Sequence, residues 1–211
     1  MHLQQNDPDE LLEVFDADGR PTGRAKTRAA IHLDGDWHAA FHCWILRREG
    51  QQVVLQRRAL TKDTFGGMWD AAAAGHWRFG ESAAEAAREI AEELGISVPF
   101  ERLTYRGQER NEREFPNGLI DREFHEVYVL DDDRSLDAYR PNRAEVIGLA
   151  AFPLADIIAL TAGQADSAEA IEALDGRMNA LTLSVRRAEI VPYSAERLRR
   201  NLGRGQRVDK I

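Results

Sequence analysis

Cysteine is almost absent: Cys43 is the only one in 211 residues. No internal disulfide framework can form, and a cytoplasmic setting is the expectation. No apolar run approaches the ~20 residues that a membrane helix needs, and the polar, acidic residues 1–10 carry no basic-then-apolar signal pattern. No membrane partner is expected. Excess positive charge is also missing. The net charge is −8, which argues against a nucleic-acid polymer as partner, because such binding needs clustered Lys and Arg. A phosphate ligand stays open, since an acidic protein can hold an anion through a bound metal and a few local basic residues. No internal repeat is visible.

What is present suffices for a packed core: 43% of the residues are hydrophobic. The length suits one domain with an appended element. Residues 11–15 read as a short strand and residues 16–23, rich in Gly, Pro and Asp, as a turn. Residues 38–46 and 52–56 are stronger strand candidates on either side of the turn at Glu49-Gly50. Residues 57–69 form a basic, Gly-containing loop, and residues 71–74 are a run of alanines where backbones can pack closely. Residues 82–94 are the clearest helix. Ser82 and Glu85 have capping-box spacing, Gly95 is a stop, and Ala83, Ala86, Ala87, Ile90 and Leu94 give an apolar face. Residues 102–115 alternate in charge like an exposed strand edge or loop. Strands follow at 124–130 and 146–152, then a short helix at 154–161, and residues 164–211 read as largely helical. Strands and helices in mixed order predict an α/β layered sandwich.

The helix at 82–94 carries the chemistry. Glu85, Glu89, Glu92 and Glu93 fall on or near one face. Like charges at that spacing cost about 0.2–0.5 kcal/mol per pair. Glu92 and Glu93 also sit in the last turn, where the helix dipole disfavours anions by about 0.3–1 kcal/mol each. Arg88 offsets only part of this. A solvated acidic face is one reading; the other is a divalent cation, which turns the repulsion into ligation because hard cations prefer carboxylate oxygens.

Gly75, Glu81, Arg88, Glu89, Ile90, Glu92, Glu93, Gly95 and Ile96 together resemble the Nudix box, a loop entering a helix that ends in R-E-U-x-E-E-x-G-U, with U aliphatic. The family normally has seven residues between the glutamate at the Glu81 position and the arginine. Here there are six, 82–87, so the helix start or the loop must absorb the difference, and the pairing of Glu81 with Arg88 depends on how. The resemblance implies a Nudix-type α/β/α sandwich with a mixed sheet over residues 1–160, followed by a helical C-terminal extension at 161–211. It implies a catalytic set of Arg88, Glu89, Glu92 and Glu93. Mg²⁺ or Mn²⁺ would be held by Glu89, Glu92, Glu93 and the Gly75 carbonyl, with an acid from outside the box, for which Glu123, Glu126 and Glu145 are candidates and Glu123 is preferred.

The similarity extends to the branch that includes isopentenyl diphosphate isomerase, over about residues 11–159. His38-Ala39-Ala40-Phe41, Gln56-Arg57-Arg58-Ala59, Lys62, Trp69, Gly75-His76 and Asp121-Arg122-Glu123 carry it. Arg58 and Lys62 resemble that branch's diphosphate contacts. His32, His38 and His76 echo the isomerase's metal site, although each taken singly is expected to be a polar structural residue. Trp69 and Trp77 are expected as core anchors. The isomerase needs a cysteine just before its Gly-His pair, where this chain has Ala74. It also lacks the full run of box acids. The expectation is therefore hydrolysis of a diphosphate linkage in a nucleoside diphosphate or related small molecule, against two rivals: double-bond isomerisation and a non-catalytic nucleotide-binding module. The C-terminal tail is open to packing on the core, forming a homodimer contact or covering the site; for its basic end, 197–207, plain solvated charge is preferred.

Overall fold

A computed structural model describes residues 7–203. In chain order the strands are β1 (Leu11–Phe15), β2 (Pro21–Thr27), β3 (Trp37–Arg47), β4 (Gln52–Arg58), β5 (Trp69–Asp70), β6 (Ala73–His76), β7 (Leu103–Glu114), β8 (Ile120–Asp131), β9 (Val146–Pro153), β10 (Ser167–Glu169), β11 (Glu172–Asp175) and β12 (Ser184–Arg186). The helices are α1 (Arg28–Asp34), α2 (Ala83–Ala86), α3 (Arg88–Leu94), α4 (Leu154–Thr161) and α5 (Ala195–Leu202).

β3 is the centre of a mixed sheet. It runs parallel to β8 on one side and antiparallel to β6 and β4 on the other. All of its residues are buried, as expected for a strand covered on both faces. Its alternation sorts the two cores. Phe41, Cys43 and Ile45 pack with Ile90 and Leu94 of α3, while Trp44 and Leu46 pack with Ile157 and Leu160 of α4 and Leu198 and Leu202 of α5. Each large apolar side chain so buried contributes about 1.5–3 kcal/mol. The result is the α/β/α sandwich predicted from the sequence. Trp69 is buried in the α4–α5 core and Trp77 packs against the α3 core, so both anchor. β7 pairs only with β8 and is the charged edge strand.

Two readings need correction. The helix expected over 82–94 is two helices. The capping box forms, with the Ser82 N–H donating to Glu85 Oε2 at 2.8 Å. At Ala87, however, ψ opens to −7°, and the Ile90 N–H bonds the Ala87 carbonyl three residues back at 3.2 Å. This tight turn takes up the shortened spacing before Arg88. The C-terminal region, in turn, is not largely helical. Its described residues hold three short strands and a 3-10 turn (Arg187–Glu189) before the helix α5, and β11 joins the main sheet beside β9. No helix among the described residues is long and apolar enough to cross a membrane.

Candidate active site

The box helix delivers Glu89 and Glu93 to β6. Glu93 is fully buried; its Oε2 accepts from Gln56 Nε2 at 2.8 Å and from the Ala74 N–H at 2.9 Å. Its Oε1 lies 3.7 Å from Lys62 Nζ and accepts no hydrogen bond. Burial pushes the Glu93 pKa up, against the pull of Lys62 and the Ala74 N–H. Glu89 is buried too, and burial, opposed by Arg88 and reinforced by Glu93 and Glu92, raises its pKa to about 8. Gly75 is required here. A Cβ at that position would come within 2.2 Å of the Glu89 carboxyl carbon, so only glycine lets the carboxylate reach the strand. Glu92 is more exposed and accepts from Arg88 Nη1 at 3.1 Å.

Arg88 organises this cluster. Its Nε donates to Glu81 Oε1 at 2.7 Å, its Nη1 to Glu89, and its Nη2 to the His76 carbonyl at 3.3 Å. The pairing of Glu81 with Arg88 therefore survives the shortened spacing. Burial opposes the charge on Arg88, but Glu89, Glu81 and Glu92 outweigh it and raise its pKa.

On the other side of Gly75 lies an imidazole–carboxylate cluster built on the three histidines that the resemblance groups together. The rings of His32, His38 and His76 form a triangle with centroids 5.0–5.2 Å apart. The three are brought together by α1, β3 and β6, as the echo of the isomerase's metal site implies, rather than standing singly. Asp121 Oδ1 lies 3.8 Å from Nε2 of both His32 and His38. Glu123 Oε1 is 3.1 Å from His76 Nε2, and its Oε2 is 2.7 Å from His125 Nε2. The parallel pairing of β3 with β8 sets Glu123 opposite His38. Burial keeps all three imidazoles neutral; for His32, aided by nearby positive charge, the pKa falls to about 4. Burial and the charge of Glu123 raise the Asp121 pKa, while His125 and His76 overcome burial to lower that of Glu123, so the pair keeps its negative charge on Glu123.

The imidazole–carboxylate cluster suits a divalent cation; among the described residues, Glu89, Glu92 and Glu93 do not bring three ligand atoms within 4.8 Å of one another. His38 Nδ1 is 3.1 Å from the Asp36 carbonyl, which fixes the tautomer and leaves the Nε2 lone pair facing the cluster. His38 Nε2, Asp121 Oδ1 and Glu93 Oε1 are all buried without a hydrogen-bond partner. Buried polar atoms are otherwise nearly always satisfied. His32, His38 and His76, and separately His38, Asp121 and Glu123, each offer ligand atoms within 4.8 Å of one another. The imidazole–carboxylate set is the kind transition ions favour, whereas Glu89, Glu92, Glu93 and the Gly75 carbonyl are an all-oxygen set of the kind Mg²⁺ or Mn²⁺ accepts.

The clusters share a cleft of about 850 Å³, counting its open part, whose lining includes Gly75, His76, Glu89, Asp121 and Glu123 together with Arg28, Arg58, Lys62 and Arg113. Arg58 donates to Asp70 Oδ2 at 2.9 Å and to the Thr64 carbonyl at 3.2 Å. Lys62 pairs with Glu145 beside Glu93. Of the three acids named outside the box, Glu123 faces the cleft, Glu145 is tied to Lys62, and Glu126 is turned to the opposite face, accepting from Gln108 Nε2 at 2.9 Å. Cys43 is buried in the core on the α3 face, and burial pushes its thiol pKa up. The basic end of the chain is not simply solvated: Arg197 and Arg200 both pair with Glu109. The rest of that stretch, 204–207, lies outside the described residues. Sequence reading also missed Asp70 and Tyr193 in the cleft wall.

A mixed sheet with an acidic box helix over a cleft of this kind defines a class, and comparison with known proteins agrees. The NUDIX domain model matches residues 36–174. An uncharacterized Nudix hydrolase of Clostridium acetobutylicum is 33% identical over 190 residues, 88% of this chain and 91% of its own length. An isopentenyl-diphosphate Delta-isomerase of Escherichia coli is 33% identical over 156 residues, 69% of this chain and 85% of its own. Among solved structures, DR0079 from Deinococcus radiodurans superposes with a TM-score of 0.54 at 22% identity, covering 71% of this chain and 87% of that one; at that identity the likeness speaks for the fold. The chain belongs to the Nudix family. It is an enzyme of the Nudix pyrophosphohydrolase class, in a branch shared with isopentenyl diphosphate isomerases.

Proposed function

We propose that the protein is a Mg²⁺- or Mn²⁺-dependent pyrophosphohydrolase that cuts the diphosphate linkage of a nucleoside diphosphate or related small molecule. The observation that carries this reading is the placement of two box acids against β6, Glu89 at Gly75 in the wall of a cleft lined with basic side chains and Glu93 on the neighbouring Ala74 N–H, with Glu92 joined to Glu89 through Arg88. Glu89, Glu92, Glu93 and the Gly75 carbonyl would hold the cation, with Glu123 at the neighbouring cluster. The ion, when bound, neutralises diphosphate oxygens and lowers the pKa of water. Glu89, a buried acid in the cleft whose pKa is raised to about 8, is placed to take a proton from attacking water. Arg58 and Lys62 offer cations to the phosphoryl oxygens, the arginine with a planar face and the lysine as a point charge. Arg88 keeps Glu81, Glu89 and Glu92 in register.

The retained imidazole–carboxylate cluster favours the isomerase as the second reading. Against it stands Ala74, a methyl group where the isomerase needs a thiol, with the one cysteine sealed in the core. Assays of phosphate release from nucleoside diphosphates, nucleotide sugars and dinucleoside polyphosphates with Mg²⁺ or Mn²⁺ test the proposal, with isopentenyl diphosphate run alongside. Hydrolysis of at least one diphosphate is expected. Conversion of isopentenyl diphosphate to its isomer without released phosphate would overturn it.

A further inference from the structure

The segment that follows β12 enters the cleft wall through backbone pairing. Ile190 bridges Trp69 in parallel, and the Val191 N–H donates to the Trp69 carbonyl at 2.9 Å. This fixes Tyr193, whose ring packs edge-on against Trp44 at 5.1 Å between centroids, and whose hydroxyl donates to Asp70 Oδ1. The same oxygen accepts from the Ala71 N–H at 2.7 Å. Asp70 Oδ2 is thereby presented to Arg58 Nη1, 2.9 Å away, while Arg58 Nε is held by the Thr64 carbonyl at 3.2 Å. Arg58 Nη2 makes no hydrogen bond among the described residues, and Arg58 lines the cleft.

We propose that Tyr193 is a positioning residue for diphosphate binding: through Asp70 it holds the Arg58 guanidinium in a single orientation, with its remaining N–H edge presented to phosphoryl oxygens. The inference rests on the function proposed above and adds to it a residue from outside the matched 36–174 domain. The physical case is one of preorganisation. A carboxylate bound through one oxygen alone can swing about its terminal torsion. Two donors on Oδ1 stop that swing, and a fixed Oδ2 then removes rotamers from the arginine. An arginine already held in its binding geometry loses less freedom when it meets phosphate. Burial and the charge of Asp70 raise the Tyr193 pKa far above its ordinary value, so the hydroxyl stays a donor throughout the neutral range.

The test is calorimetric binding of methylenediphosphonate, a diphosphate that cannot be cleaved, in the presence of Mg²⁺. Four full-length proteins are compared: wild type, Tyr193→Phe, Arg58→Ala and the double variant. Tyr193→Phe keeps the ring against Trp44 and is expected to melt near the wild-type temperature. It should nonetheless bind about tenfold more weakly, the usual effect of losing one hydrogen bond to a charged group. The double variant should bind no more weakly than Arg58→Ala alone, because Tyr193 acts only through Arg58. Unchanged binding by Tyr193→Phe would overturn the proposal, as would an equal loss in both backgrounds, or no binding of the diphosphonate by wild type at millimolar concentration. Should Tyr193→Phe fold poorly, Asp70→Asn replaces it, with the same dependence on Arg58 expected and independence again decisive against it. A wild type that binds the diphosphonate with this coupling yet hydrolyses no diphosphate would overturn the pyrophosphohydrolase reading and leave the relay standing.

Discussion

At the scale of single residues, Glu93 carries the sharpest expectation. Its Oε2 is fixed by Gln56 and the Ala74 N–H, and its Oε1 is left without a donor. Glu93→Gln keeps the shape and most of the bonding but removes the charge a cation needs. Turnover should fall by about a hundredfold or more, with the circular dichroism spectrum unchanged; wild-type rates in excess metal would show that the helix is not the reacting centre. The raised acids also set a pH dependence. Glu89 binds its proton more tightly folded, at about 8, than at its ordinary 4.5. The stability that proton confers is fully present below 4.5 and is lost as pH rises through 8. Glu93 and Asp121 are shifted in the same direction. His32, lowered from 6.5 to about 4, acts with the opposite sign, but its contribution is complete by about 6.5. With chelator present, the melting temperature should therefore fall between pH 6.5 and 8, and Mg²⁺ should stabilise more at the upper end. A flat or rising profile in chelator would contradict the burial of these acids. The box acids could be read from the sequence because they fall within a single turn or two of helix. His32, His38, His76 and Asp121 are scattered over ninety residues of sequence, and no local pattern encodes the β3–β8 register that joins them.

At the scale of elements, the site depends on how closely α3 approaches β6. The apolar spacing of Ile90 and Leu94 gave the helix and its buried face, and Gly95 its end, since these depend only on neighbours a turn away. The break at Ala87 was not legible, because alanine favours helix and nothing local announces a tight turn. The need for it comes from Arg88 having to reach Glu81 across a loop one residue short. β10 to β12 were missed for a related reason. Their short, weakly alternating stretches gain strand geometry from β9 and from each other rather than from their own composition. The contact between α3 and β6 predicts the effect of Gly75→Ala. The added methyl meets the Glu89 carboxyl well inside contact distance, so the helix must retreat or the carboxylate must turn away. A cost of about 1–3 kcal/mol in stability is expected, with at least a tenfold loss of Mn²⁺ affinity by titration calorimetry. Unaltered metal binding would mean that the Glu89–Gly75 approach is not part of the cation site.

At the scale of the whole molecule, the question is whether residues beyond 160 are an appendage or part of the same cooperative body. The contacts favour one body. β11 continues the main sheet at β9 through four paired residues. Ala168, Val185, Val191, Leu198 and Leu202 are buried in the same core as Trp44, Leu46 and Phe152. Arg197 and Arg200 reach across to Glu109 of the edge strand β7, and Asn201 Nδ2 donates to Glu109 at 3.0 Å. Ending the chain at residue 160 would leave β9 unpaired on one edge and strip the apolar cover from one face of the sheet. At about 1.5–3 kcal/mol for each large side chain uncovered, the loss matches or exceeds the ~5–15 kcal/mol by which a domain is usually stable. The full chain should therefore melt in one calorimetric transition whose van 't Hoff and calorimetric enthalpies agree, and the shortened chain should show no cooperative transition. Two separate transitions, or a shortened chain that folds and keeps the Tyr193-independent part of diphosphonate binding, would make the C-terminal region a separable cover. In that case the relay from Tyr193 to Arg58 would act across an interface between two units.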